Sequence, residues 1–106
     1  MEKLKGFQKQ YLKRLAHGLK PVVFVGQKGI TPEVAKAIAD ALDQHELIKV
    51  KFVEFKEKNQ KKEIAGAIEK ETASEQVGMI GHVAVFYRQQ EDPEKRKIAL
   101  PKRKPA

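Results

Sequence analysis

Gly26-Gln27-Lys28-Gly29 is a stretch where a main chain could meet a phosphate. Two glycines flank a two-residue tip, and one tip residue is lysine. Without a Cβ, glycine can take positive φ and let a ligand come close to the backbone. Thr31 and Pro32 follow directly. A threonine hydroxyl can accept one of the free amides at a helix start, and proline in the first turn removes a donor that has no partner there. The remaining amides and the positive end of the helix dipole favour an anion, and Lys28 adds a point charge. A nucleic-acid phosphate suits such a place. Alone, the spacing equally describes an ordinary strand-to-helix turn, so its chemistry depends on what surrounds it.

Other chemistries find little support. The glycine loop lacks the Gly-Lys-Ser/Thr ending of a nucleotide-hydrolysing loop, and Pro32 occupies the third glycine position of a dinucleotide fingerprint. No nucleophile elbow is present, and the carboxylates lie beside lysines rather than in apolar settings that would raise a pKa. His17, His45 and His82 are scattered without metal-ligand spacing, and there are no cysteines. The expectation is a protein that is not an enzyme, with no metal, cofactor or small-molecule substrate. The seven aromatics fall mostly at core parities, so recognition is expected to use backbone and shape, with little base stacking.

Charge supplies the surroundings. The 106 residues carry 22 basic and 14 acidic side chains, a net +8. Lys3, Lys5, Lys9, Lys13, Arg14 and Lys20 face Glu2 alone in the first 21 residues. Residues 22–88 are balanced, and the last 18 residues are again basic through Lys95, Arg96, Lys97, Lys102, Arg103 and Lys104. A neutral body with basic ends is the footprint of a polyanion binder. The N-terminal lysines have no carboxylate for i,i+4 pairing, so a salt-bridged helix face does not account for them.

The elements that must position these residues follow from periodicity. Leu4, Phe7, Tyr11, Leu12, Leu15, Ala16 and Leu19 form one helical stripe, which turns the lysine row toward solvent and sends Phe7, Tyr11 and Leu15 inward. Val22–Val25 reads as a short buried strand. A helix from Pro32 to about His45 and a strand from Leu47 to Phe55 come next. Lys56 to Lys62 reads as a turn with Asn59 as a cap, followed by a third helix to about Thr72. Gln76–Ile80 and Val83–Arg88 form a hairpin around Gly81-His82, and the second of these, apolar on both parities, belongs in the middle of a sheet. The order helix-strand-helix-strand-helix-strand-strand predicts an α/β two-layer sandwich with a mixed four-stranded sheet. Beyond Gln89 the composition predicts disorder.

Four segments together resemble the CRM domain family (chloroplast RNA splicing and ribosome maturation), in its bacterial stand-alone YhbY-like form. They are Leu15-Ala16-His17-Gly18-Leu19-Lys20-Pro21, Val25-Gly26-Gln27-Lys28-Gly29-Ile30-Thr31, His45-Glu46-Leu47-Ile48-Lys49-Val50, and Ile80-Gly81-His82 leading to Phe86-Tyr87-Arg88. The resemblance implies a fold similar to the C-terminal domain of translation initiation factor three. It also implies an RNA-binding protein associated with precursors of the large (50S) ribosomal subunit, with the GxxG loop contacting RNA as in KH domains. Val77-Gly78-Met79-Ile80-Gly81 departs from the family's usual Val-Gln-Val-Ile-Gly, and the N-terminus lacks the usual Leu-Thr opening.

The sequence thus predicts one domain over residues 1–88 with a basic tail over 89–106. RNA, in particular ribosomal RNA, is the expected partner, met by Gly26, Gln27, Lys28, Gly29, Lys5, Lys9, Lys13, Arg14 and Lys20. The N-terminus lacks the apolar core of a secretory signal and no apolar run approaches a membrane span, so a cytoplasmic protein is expected; a monomer is expected as well. Two other readings stay open: a module docking acidic surfaces of ribosomal proteins or translation factors, and a general nucleic-acid or DNA binder.

Overall fold

The computed structural model describes residues 1–53 and 57–103. Its elements are α1 (Gly6–Ala16), β1 (Pro21–Val25), α2 (Pro32–His45), β2 (Leu47–Phe52), α3 (Lys58–Thr72), β3 (Glu75–Ile80) and β4 (Val83–Tyr87), then a short 3-10 turn at Pro93–Lys95. The order matches expectation. α2 starts where its cap predicts: Thr31 Oγ1 accepts the Val34 N–H at 3.2 Å, with Pro32 in the first turn. α3 begins ahead of the expected Asn59 cap, with Glu57 at the N-cap position. β2 ends at Phe52, with Val53 already outside the strand; residues 54–56 of the expected extension and turn lie outside the described residues, and residues 58–62, expected as turn, are helical.

The sheet is mixed and runs β1-β2-β4-β3. β1 and β2 are parallel, while β4 is antiparallel to both β2 and β3. β4 is central because both its faces are apolar: Ala84 and Phe86 on one side, Val85 and Tyr87 on the other, all buried. β2 and β3 point the same way but are not neighbours, since the hairpin folds β4 in between.

Each face of the sheet has its own core. Val23, Val25, Ile48, Val50, Phe52, Ala84 and Phe86 pack under α2 and α3 against Ile38, Leu42, Ala65 and Ile68. On the other face Leu47, Val77, Val85 and Tyr87 pack against Leu4, Leu12 and Ala16. The expected sandwich of helices on sheet is present, and α1 adds a partial layer on the second face. This placement rotates α1 from its expected orientation. Leu12 and Ala16 form the buried line, Phe7 and Tyr11 are half-buried, and Leu15 stays 40 % exposed.

The C-terminal segment departs from the expected disordered tail. Ile98 and Leu100 pack onto the α1-side core, and Gln8 Nε2 donates to the Pro101 carbonyl at 3.1 Å. Glu46, between α2 and β2, fixes the segment. Its side chain is fully buried, and Oε1 accepts the N–H groups of Lys97 (2.7 Å) and Ile98 (3.0 Å) while Oε2 accepts that of Gln90 (2.8 Å). Composition misled because one buried carboxylate and two spaced apolar residues order an otherwise polar stretch. Arg88 closes the same end. It donates to the carbonyls of Thr72 (2.8 Å) and Ala39 (3.1 Å) and pairs with Asp43, joining the C-terminal turns of α3 and α2.

Glu46→Gln leaves an amide NH₂ facing main-chain donors. It is expected to cost about 2 kcal/mol in urea unfolding, and to speed hydrogen exchange at Lys97 and Ile98 more than at Ile38, whose exchange follows global unfolding. A second expectation concerns Tyr87, whose buried hydroxyl has the Gln89 side chain nearby but makes no hydrogen bond of ordinary geometry among the described residues. Burial pushes its phenol up to about 12, and the negative charge of Glu46 adds to this. The unfolded chain then loses that proton near pH 10 while the folded chain keeps it, so stability falls as pH rises from 10 toward 12, by about 1.4 kcal/mol per pH unit. Tyr87→Phe should abolish that component and leave neutral-pH stability unchanged or slightly higher; equal alkaline slopes in the two proteins would refute it.

Candidate nucleic-acid interface

The glycine loop lies just past the C-terminal end of β1. The Gly29 N–H donates to the Gly26 carbonyl at 2.9 Å and closes a tight turn with Gln27 and Lys28 exposed at its tip. The two glycines serve different ends. Gly29 sits at φ +68°, a conformation that strains any other side chain, so the turn itself requires it. Gly26 is not left-handed, and a Cβ there would meet nothing within 4 Å. The fold does not need Gly26 to be bare, and its bareness leaves the main chain open to an approaching group.

The loop shares its end of the molecule with the β3–β4 turn and the start of α3. Phe52 N–H donates to the His82 carbonyl at 2.7 Å, and Val53 N–H to the Val25 carbonyl at 2.8 Å. Lys61, largely buried, donates to the Gly81 carbonyl at 3.0 Å and approaches His82 Nδ1 at 3.4 Å. This cation is spent on holding the hairpin to α3. At the start of α2 the exposed Glu33 carboxylate stands in the first turn and offsets part of the dipole. An anion arriving here would therefore meet Lys28 and the turn's main chain more than the helix terminus.

The structure sorts the expected basic residues into groups. Lys9 pairs with Glu75 at 3.4 Å, so the row is not free of carboxylates as the sequence spacing suggested. Lys13 lies beside β3, and its Cε passes within 2.6 Å of where a Cβ on Gly78 would stand. Gly78, the departure in the third strand, is what admits that lysine. Arg14 and Lys20 are exposed, Lys20 at the corner before β1. It lies a strand's length from the glycine loop, about 16 Å. Lys5 caps α1 at the opposite end, where its N–H donates to Gln8 and Gln8 in turn holds Pro101. Lys49, on the α1 side of β2, donates to the Leu19 carbonyl at 2.9 Å, whereas Lys51 is exposed.

Both basic ends of the chain lie on one face. Leu4, Ile98 and Leu100 belong to the same core as α1, so α1 and the C-terminal segment together cover the second face of the sheet. Charges far apart in sequence are thereby pooled. The sequence predicts a buried strand over Val22–Val25, yet Val22 is 49 % and Phe24 57 % exposed. β1 is an edge strand whose second face α1 does not cover, and only the strand order reveals that. No helix is long and apolar enough to cross a membrane among the described residues.

Comparison with known proteins gives a consistent picture. A Haemophilus influenzae protein named "RNA-binding protein" is 48 % identical over 96 residues, covering 91 % of this chain and 93 % of that protein. A Bacillus subtilis protein, "Probable RNA-binding protein YqeI", is 39 % identical, covering 92 % of this chain and 99 % of the other. The solution structure of a hypothetical Staphylococcus aureus protein, a candidate RNA-binding protein by its description, superposes with a TM-score of 0.79. It is 38 % identical and covers 93 % of this chain and all of the other. The family model for the CRS1 / YhbY (CRM) domain matches residues 4–88. With that match spanning every strand and helix that frames the glycine loop, the chain belongs to the CRS1/YhbY (CRM) domain family.

Proposed function

We propose that this chain is a non-catalytic, monomeric, cytoplasmic RNA-binding protein that acts on ribosomal RNA during assembly of the large ribosomal subunit. The observation that carries the RNA reading is the exposed turn in which Gly26 leaves main chain open beside Lys28, at the rim of a face holding both basic ends. The names of the relatives support it; the ribosomal setting rests on the family resemblance alone. A phosphate meets the Gly26–Gly29 main chain and the Lys28 ammonium. Lys13, Arg14 and Lys20 extend the contact, and Lys9 and Lys5 contribute charge at longer range. Such contacts fix position on RNA and carry little sequence information.

Binding of the full chain to large-subunit ribosomal RNA fragments across a salt series tests this. Lys28→Ala is expected to weaken binding and flatten the log K against log salt slope by about 0.7 to 0.9, with sequence preference unchanged. Gly26→Ala is expected to unfold at the wild-type urea midpoint yet bind about fivefold more weakly, as a methyl holds the phosphate off the main chain. Wild-type affinity in Gly26→Ala would remove the main-chain cradle. Co-sedimentation with large-subunit precursors that survives complete RNase digestion would instead support docking on protein.

A further inference from the structure

The face of the sheet that α1 covers has one row left open. Val23 and Val25 point under α2, so Phe24 between them points to the opposite face. In register, Phe24 lies beside Lys51 of β2, Lys51 beside Val83 of β4, and Val83 beside Ile80 of β3. The row crosses all four strands. Phe24 is 57 % and Ile80 77 % exposed, Lys51 is exposed and Val83 half-buried. Leu12 and Ala16 bury Leu47, Val77, Val85 and Tyr87 on the same face, and α1 covers none of Phe24, Lys51 or Ile80.

Single exposed apolar residues need no explanation, but a row spanning a sheet does. This row ends at the glycine turn on the β1 side. On the β3 side Lys13 lies over Gly78. It alternates an aromatic ring, an ammonium and aliphatic surface, and contains no carboxylate. An apolar protein partner would have to desolvate Lys51 at the centre of its footprint. Unpaired nucleotides do not: a base offers a π-face to Phe24 while its phosphate meets Lys51. Strands lie about 4.8 Å apart, so the row spans about 14 Å, room for two or three nucleotides.

We infer that the Phe24–Lys51–Val83–Ile80 row is a platform for unpaired RNA nucleotides, with a base stacked on Phe24 next to the phosphate held at the glycine turn. This rests on the RNA reading above and adds to it a preference for single strands flanking structured RNA.

The test uses the full chain with two RNAs of equal phosphate count, an unstructured oligouridylate and a fully paired hairpin. Phe24→Ala is expected to weaken oligouridylate binding about tenfold or more with an unchanged salt slope, and to leave hairpin binding unchanged. Phe24→Tyr keeps the ring and should bind as wild type. In Phe24→Trp, indole fluorescence should be quenched by oligouridylate alone, and Ile80→Ser should weaken oligouridylate binding with wild-type unfolding. Equal losses on both RNAs, or no loss in Phe24→Ala, would overturn the platform while leaving the RNA reading in place. Failure of the wild-type chain to bind either RNA would overturn that reading and the platform with it.

Discussion

A buried carboxylate organises this molecule. Glu46 stands at φ +63° where α2 gives way to β2, a conformation costing on the order of 1–3 kcal/mol. Its own N–H donates to the Leu42 carbonyl and its carbonyl accepts from Arg88, so the main chain is tied to both neighbouring elements. The side chain then carries a negative charge into a site with no water contact, which is tolerable only with full compensation. Three main-chain N–H groups from residues 90, 97 and 98 supply it. The backbone strain, the buried charge and the docked C-terminal segment are mutually dependent, since each would be unfavourable without the others.

That dependence divides the molecule into two ends. At the Glu46 end, Arg88 bridges the C-terminal turns of α2 and α3, where cations complement the helix dipoles. At the other end lie the glycine turn, the hairpin turn and the open row of the sheet, where Lys61 holds the Gly81 carbonyl and the Phe52 N–H holds that of His82. Rigid closure at one end lets the other keep exposed main chain and an uncovered aromatic ring. A chain of this size needs most of its apolar surface in its cores, and here the two most exposed large apolar side chains inside the strands, Phe24 and Ile80, stand in the strip beside the turn.

What could be read in advance followed local rules. Thr31-Pro32 fixed the start of α2, because a cap is decided by its own neighbours. β4 was recognisable as central because both of its faces are apolar. The glycine turn was visible from composition, and so was the need for a left-handed residue, though not which glycine fills it. The failures share a cause in long-range placement. An amphipathic stripe says that α1 buries one side, not which face of the sheet it meets, and the inward line moved from Leu15 to Leu12 and Ala16. Residues 89–103 look unstructured until Glu46 is placed beneath them. Phe24 could not be recognised as exposed before β1 was known to be an edge strand that α1 fails to reach.

The pooling of charge gives these pieces a common sense. In sequence the basic residues sit at two ends separated by a neutral body, an arrangement that by itself implies only loose attraction to a polyanion. Folding puts α1 and the C-terminal segment on one face, leaving α2 and α3 on the other. On the proposed reading, the resulting asymmetry would turn the basic face toward a polyanion before contact. The glycine turn and the Phe24 row are on or beside that face, so the same orientation would bring forward the features proposed to act at short range. Glu46 bears on this although it lies at the far end. By docking the C-terminal segment against α1 it keeps Arg96 and Lys97 beside Lys3 and Lys5 and prevents their charge from dispersing on a free tail.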